Sequence, residues 1–495
     1  MVITFLLVAC TGPREDTGPV PPLTAVPLTA FPEGFQWGTA VAGFQVDAGC
    51  PTLPAERCED RASDWYQWVT DPELIGETDT YLSGDPLALA PGHYELYAED
   101  LARARDELGT DAFRTSIEWS RLFPDGAAES ATTVDELRAH VSADGLAFYR
   151  AYFDAIAAAG LTPVVTLNHY TLPLWLHDGK ACHADLDTCA DRGWVDMARL
   201  RPALSLYSAF CAEEFGGRVD TWATLNEPLA VVLAGYLLPS PDRTNPPGIK
   251  DADVAFDVFW NLVEGHAAMY DAVKAHDLVD ADGDGVASSI GVVHNLVALA
   301  PVDAGEEADL VAVEHADYVY NRLFLNGTVR GEIDRDMDGV AEETRADLAG
   351  RMDWLGINYY TRLTVQGLAG PLYAGYARFD FFPTVFWEEY PDGLYDVVAV
   401  GADYGLPMMI TENGTQPTDE SGEVFLRPHL AALLRAISDG MDVRGYFYWS
   451  LLDNYEWNHG MGMRFGLYEV DTVTKARTLR PIGATYATIT ATGEP

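Results

Sequence analysis

Short apolar runs rich in β-branched and aromatic residues recur along this chain, and longer stretches with helical spacing separate them. Residues 36–40, 112–116, 162–167, 221–225, 289–294, 354–358, 408–411 and 444–449 have the length and composition of strands. Between them, residues 94–108, 146–159, 200–215, 255–275, 308–325 and 426–439 repeat apolar positions every three to four residues, the spacing of a helix with one buried face. Eight strands alternating with helices, without a break in composition, predict a single (β/α)8 TIM barrel, an α/β fold. A doubly wound sheet would be expected to carry a glycine-rich phosphate loop after an early strand, and none is present.

The barrel is predicted to occupy residues 31–490. Before it, residues 1–10 are mostly apolar and end in Cys10; Leu7-Val8-Ala9-Cys10 resembles a bacterial lipoprotein cleavage box, although the usual basic segment is missing. Residues 11–30 are rich in Pro and Thr, a flexible tether composition. Cys50 and Cys58 bracket a short polar interval, as do Cys182 and Cys189, and both pairs are expected to be disulfides, leaving Cys211 as a buried thiol. Zinc is the competing reading near His183, but CxxC spacing is absent. Together these features predict an exported protein, lipid-anchored in a bacterial envelope or secreted, that touches membrane only through the anchor. The net charge of −45 and pI near 4.3 argue against a nucleic-acid partner.

In a barrel the C-terminal strand ends build the active site. Two predicted strands end in a glutamate followed by a turn former: Thr224-Leu225-Asn226-Glu227-Pro228 and Ile410-Thr411-Glu412-Asn413-Gly414. Two carboxyl groups facing one mouth are the machinery of glycoside hydrolysis. Polar or aromatic groups stand at the other ends: Gln45, Arg114, His169, Asn358, Tyr360 and Trp449. Only the fifth strand lacks one.

Several blocks, in this order, resemble glycoside hydrolase family 1, the β-glucosidase/β-galactosidase family. They are Phe35-Gln-Trp-Gly38, Phe113 to Pro124, Thr224 to Pro228, Gly356 to Tyr360, Ile410 to Gly414, Trp449 to Trp457 and Arg464 to Leu467. Glu118 and Pro173 to Asp178 look closest to its archaeal-type branch. The resemblance implies a retaining, exo-acting β-glycosidase for small β-glycosides or oligosaccharides, with no catalytic cofactor. It makes Glu227 the acid/base and Glu412 the nucleophile. Gln45, His169, Asn226, Trp449, Glu456 and Trp457 would bind the sugar, and Arg114, Asn358 and Tyr360 would support the nucleophile. A cation beside Glu412 should favour its ionised form, while Glu227 needs a higher pKa to hold a proton.

Tyr170 departs from the family, which usually has Trp after the third-strand histidine. The 6-phospho branch places Ser, Lys and Tyr where this sequence has Glu456, Met463 and Phe465, which argues against phosphorylated sugars. A transglycosidase and a surface carbohydrate-binding pseudoenzyme are the alternative readings; the intact glutamates count against the second. Asp280, Asp282 and Asp284, then Asp334, Asp336 and Asp338, form two DxDxDG starts of a calcium loop. Their twelfth positions hold Gly291 and Arg345, so Glu342 or Glu343 would have to complete the second. Both loops are expected on the bottom face, where calcium would serve stability.

Overall fold

The computed structural model describes residues 28–385 and 388–495. The signal-like segment 1–10 and most of the 11–30 tether lie outside the described residues. From Gln36 onward the chain closes eight parallel strands into a barrel. They are β1 (Gln36–Ala40), β2 (Ala112–Ser116), β3 (Thr162–Asn168), β4 (Thr221–Asn226), β5 (Ser289–Asn295), β6 (Trp354–Asn358), β7 (Met408–Asn413) and β8 (Val443–Trp449). Closure is made by β1 pairing with β8, Ala40 opposite Trp449, and with β2, Ala40 opposite Arg114.

The principal outer helices are α1 (His93–Ala102), α2 (Ala143–Ala158), α3 (Met197–Phe215), α4 (Ala252–His276), α5 (Glu307–Ala316), α6 (Asp392–Ala402), α7 (Arg427–Ser438) and α8 (Pro481–Thr492). Helix α4 begins where the Asp251 carboxylate accepts the Val254 N–H and ends with Lys274 and His276 in its last turn. Both ends therefore oppose the charge of the helix dipole.

Alternation along the strands sorts the side chains into two cores. Phe113, Val165, Trp222, Ile410 and Tyr446 face outward and bury against the helices. Ala112, Val164, Ala223, Val293, Met409 and Phe447 face inward and fill the barrel. Phe447 needs the glycine at position 38: a Cβ there would lie 2.3 Å from its ring. Each fully buried large apolar side chain contributes about 1.5–3 kcal/mol over exposure.

The same alternation turns Arg114, two residues beyond Ala112 on β2, into the barrel. Above the strand ends, Ala298–Pro301, Arg362–Gly367 and Phe381–Val385 form a three-stranded sheet in the segments that follow β5 and β6. The loop after β8 is tied down by Arg480, whose guanidinium donates to both oxygens of Asp453 at 2.7 and 2.8 Å.

Two disulfides, Cys50–Cys58 and Cys182–Cys189, close the expected pairs. Cys211 is buried and unpaired on α3.

Candidate active site

The strand ends open into a cavity of about 280 Å³. Gln45, His169, Asn226, Glu227, Asn358, Tyr360, Glu412, Trp449, Glu456 and Trp457 all line it. Arg114 is buried beneath them, against Glu412.

Glu227 reaches the mouth through an abrupt turn. Its backbone φ is +46°, and Pro228 follows as the first residue of a short helix, Pro228–Val232. The Glu227 N–H donates to the Val293 carbonyl on the neighbouring strand at 2.8 Å, which pins the turn. Tyr170 (φ +72°) and Trp457 (φ +49°) share this left-handed conformation, so three of the six such non-glycine residues among the described residues line the cavity. Each costs on the order of 1–3 kcal/mol, a cost that tertiary packing must offset.

The carboxyl group of Glu412 is held by two donors. Arg114 Nη1 donates to Oε1 at 2.6 Å, and the Tyr360 hydroxyl donates to Oε2 at 2.7 Å. Burial raises this carboxyl group above its ordinary pKa; Arg114 opposes the rise and repulsion from Glu227 adds to it. The cation thus acts in the direction expected from the sequence, but burial outweighs it.

Glu227 accepts from Asn358 Nδ2 on Oε1 at 2.7 Å and from the Tyr170 hydroxyl on Oε2. Asn358 Oδ1 also accepts from the hydroxyl of Thr411, the residue before Glu412 on β7, at 2.8 Å, so one side chain links the two carboxyl-bearing strand ends.

Asn226 and His169 are oriented together. Asn226 Oδ1 accepts from Arg114 Nη2 at 2.7 Å and Asn358 Nδ2 at 3.3 Å. Its amide nitrogen therefore faces His169 Nε2 at 3.2 Å and donates to it. The imidazole is neutral: burial, then Arg114 and Arg243, hold its pKa well below the usual value. Gln45 Nε2 donates to Asn454 Oδ1 and Glu456 Oε2, both at 2.9 Å, while Gln45 Oε1 is buried without a partner in the protein. Burial raises the Glu456 carboxyl group to about 7, against the pull of Arg243 and the Gln45 hydrogen bond.

Two contributors escaped the sequence reading. Asn295 ends β5 and lines the cavity, supplying the polar group that strand five seemed to lack. Extending the predicted strand by one residue would have found it. Arg243 comes from the loop beyond Leu238, where no periodic pattern marks it. Its guanidinium lies 5.0 Å from the ring centres of both Tyr170 and Trp457 and 3.5 Å from Glu456 Oε1.

The DxDxDG segments lie away from this mouth. Asp280 and Asp282 gather with Asp220, just before β4; Asp334 and Asp336 gather with Glu342. Asp284 and Asp338 belong to neither group and accept backbone N–H bonds of their own turns. The first loop sits at the foot of the barrel as expected. The second packs instead against Ala377 and Arg378, in the segment joining two strands of the upper sheet.

Residues 28–494 match the model of Glycosyl hydrolase family 1. A β-galactosidase of Pyrococcus woesei is 34% identical over 489 residues, covering 90% of this chain and 94% of the relative. Beta-glucosidase A of Thermotoga maritima is 32% identical over 482 residues, covering 93% and 97%. The crystal structure of the β-glycosidase from Thermosphaera aggregans superposes with a TM-score of 0.79 at 27% identity, covering 93% and 97%.

This kinship overturns the expectation of an exported, lipid-anchored protein. The family match covers residues 28–494, the similarity includes archaeal and Thermotoga glycosidases, and nothing in it supports an anchor. The expectation rested on a ten-residue apolar run, too short to span a bilayer and lacking a basic flank, and on disulfides. Disulfides alone do not fix a compartment, because some intracellular proteins also carry them. Among the described residues no helix is long and apolar enough to cross a membrane.

Proposed function

The chain belongs to glycosyl hydrolase family 1 and is a glycoside hydrolase of the β-glucosidase/β-galactosidase type; we propose that it works by retention, with Glu412 as nucleophile and Glu227 as acid/base. The observation that carries this reading is the contrast between the two carboxyl groups. Glu412 is gripped on both oxygens by a guanidinium and a phenol deep in the barrel. Glu227 stands at the turn above β4 with neutral donors only.

In the first step Glu412 attacks the anomeric carbon as the bond to the leaving oxygen breaks, and Glu227 gives that oxygen its proton. In the second, Glu227 takes a proton from water as the water oxygen displaces Glu412. Positive charge developing on the sugar ring favours the ionised form of Glu412, offsetting the burial that raises its pKa. The two carboxyl groups supply the chemistry and no cofactor takes part.

Gln45, His169, Asn226, Trp449, Glu456 and Trp457 would bind the sugar. The buried, unpartnered Gln45 Oε1 suits a hydroxyl donor, since buried polar atoms are rarely left unpaired. Glu456 in the cavity wall suits a neutral hydroxyl, and a cavity of about 280 Å³ suits attack at a chain end. The glycone is glucose or galactose, by kinship with the named relatives.

Azide rescue tests the roles. Glu412→Ala should lose turnover and recover it with azide, giving an α-glycosyl azide. Glu227→Ala should give a β-glycosyl azide and retain activity on dinitrophenyl glycosides, whose leaving groups need little acid help. The reverse pairing of anomers would exchange the two assignments, and an inverted first-formed sugar by NMR would exclude retention.

A further inference from the structure

The Tyr170 hydroxyl donates to Glu227 Oε2, a contact the sequence reading did not foresee at its most visible departure from the family. Tyr170 is 6% exposed and its ring is clamped. Trp457 meets it edge-on at 5.0 Å, His169 lies at 5.1 Å, and the Arg243 guanidinium covers its face at 5.0 Å. With both Tyr170 and Glu227 held in left-handed backbone turns, the two side chains have little freedom to separate.

The other oxygen of Glu227 accepts from Asn358 Nδ2, which can only donate. A proton on the carboxyl group therefore belongs on Oε2, the oxygen facing Tyr170. A phenol oxygen can accept a hydrogen bond as well as donate one, whereas the indole of the usual Trp can only donate. We propose that Tyr170 is a positioning residue for Glu227, accepting from Oε2–H in the free enzyme, releasing that proton to the leaving oxygen when substrate is bound, and donating to Oε2 once the proton has left. This rests on Glu227 being the acid/base.

A bond to the ionised carboxylate is roughly twice as strong as one between neutral groups. Losing the phenol therefore penalises the carboxylate more than the acid. In Tyr170→Phe the basic limb of the kcat/KM–pH profile, which reports the loaded acid, should move up by about one pH unit. The acid limb, set by Glu412, should stay in place. Fluorotyrosine at position 170 keeps the ring and hydroxyl but donates more strongly, so it should move the basic limb down, and it serves if the Phe variant fails to fold.

Phenyl and 2,4-dinitrophenyl β-glucosides or β-galactosides provide the rates. The shift should appear with the phenyl substrate, which needs the acid, and be small with the dinitrophenyl one. A basic limb that moves with neither substitution, or both limbs moving together, would overturn the inference. Azide rescue of Glu227→Ala separates the causes. If the β-azide forms and the limb does not move, only the role of Tyr170 falls. If no β-azide forms, the acid/base assignment falls and this inference with it.

Discussion

Replacing Arg114 by Met tests the charge balance of the site most directly. Arg114 is 1% exposed and Nη1 lies 2.6 Å from Glu412 Oε1. Two unit charges about 4 Å apart interact by about 4 kcal/mol at an effective dielectric of about 20. Burial already raises the pKa of Glu412, so removing the guanidinium removes the main force opposing that rise. At about 1.4 kcal/mol per pH unit, the acid limb of kcat/KM should rise by about two to three units. The sign follows from the role: the nucleophile must be ionised, and the cation favours the ionised form. Below the wild-type limb, kcat/KM should fall about 100- to 1,000-fold, and it should recover toward alkaline pH. A dinitrophenyl glycoside is the substrate of choice, because it needs little acid assistance and leaves the acid limb uncovered. The cost in folding stability should stay below the full charge-pair value, because Glu412 can take up a proton. Arg114→Lys keeps the charge but gives up the planar fork that also reaches Asn226 at 2.7 Å, so its limb should move less. An acid limb within about half a unit of wild type in Arg114→Met would refute this account of Glu412.

Two further outcomes can be checked without substrate. Burial, opposed by the Thr171 hydrogen bond, raises the Glu118 carboxyl group from 4.5 to about 7. A raised carboxyl pKa favours folding fully below about pH 4.5 and loses that benefit as pH climbs through about 7, so Glu118→Gln should flatten the fall in melting temperature between about pH 5 and 8; an unchanged slope would mean that other groups set it. Calcium added to EDTA-treated protein should raise the melting temperature through the Asp334–Asp336–Glu342 group, and no change on scanning calorimetry would leave both acidic loops as turns.

The barrel was legible because its signal is periodic. All eight strands appear where β-branched runs predicted them, and the strand ends supplied most of the cavity lining. Two outer helices escaped because their composition points elsewhere. Helix α6, Asp392–Ala402, has two glycines and a valine-rich middle, and α8, Pro481–Thr492, alternates Thr with Ala, Ile and Tyr. Local propensity is weak for both. They are held by packing: Ile482, Tyr486 and Ile489 bury one face of α8, and Pro481 is suited to a first helical position. The upper sheet escaped for a related reason, since strands of four to six residues inside long loops resemble loop.

At the mouth, the limit of the sequence is different in kind. Glu227 and Glu412 are marked by what precedes and follows them in the chain. Arg243 is marked by nothing local; it matters because folding places it over Tyr170 and Trp457 and beside Glu456, residues 73, 214 and 213 positions away. The chemical consequences run through such contacts. Burial pushes the Glu456 carboxyl group up while Arg243 draws it down, leaving it at about 7, so the charge on this wall of the cavity changes across neutral pH. The distance also explains why the departure at Tyr170 looked, in sequence, like a question about sugar contacts. Only the fold brings its hydroxyl to a carboxyl group 57 residues away, where it bears on proton transfer.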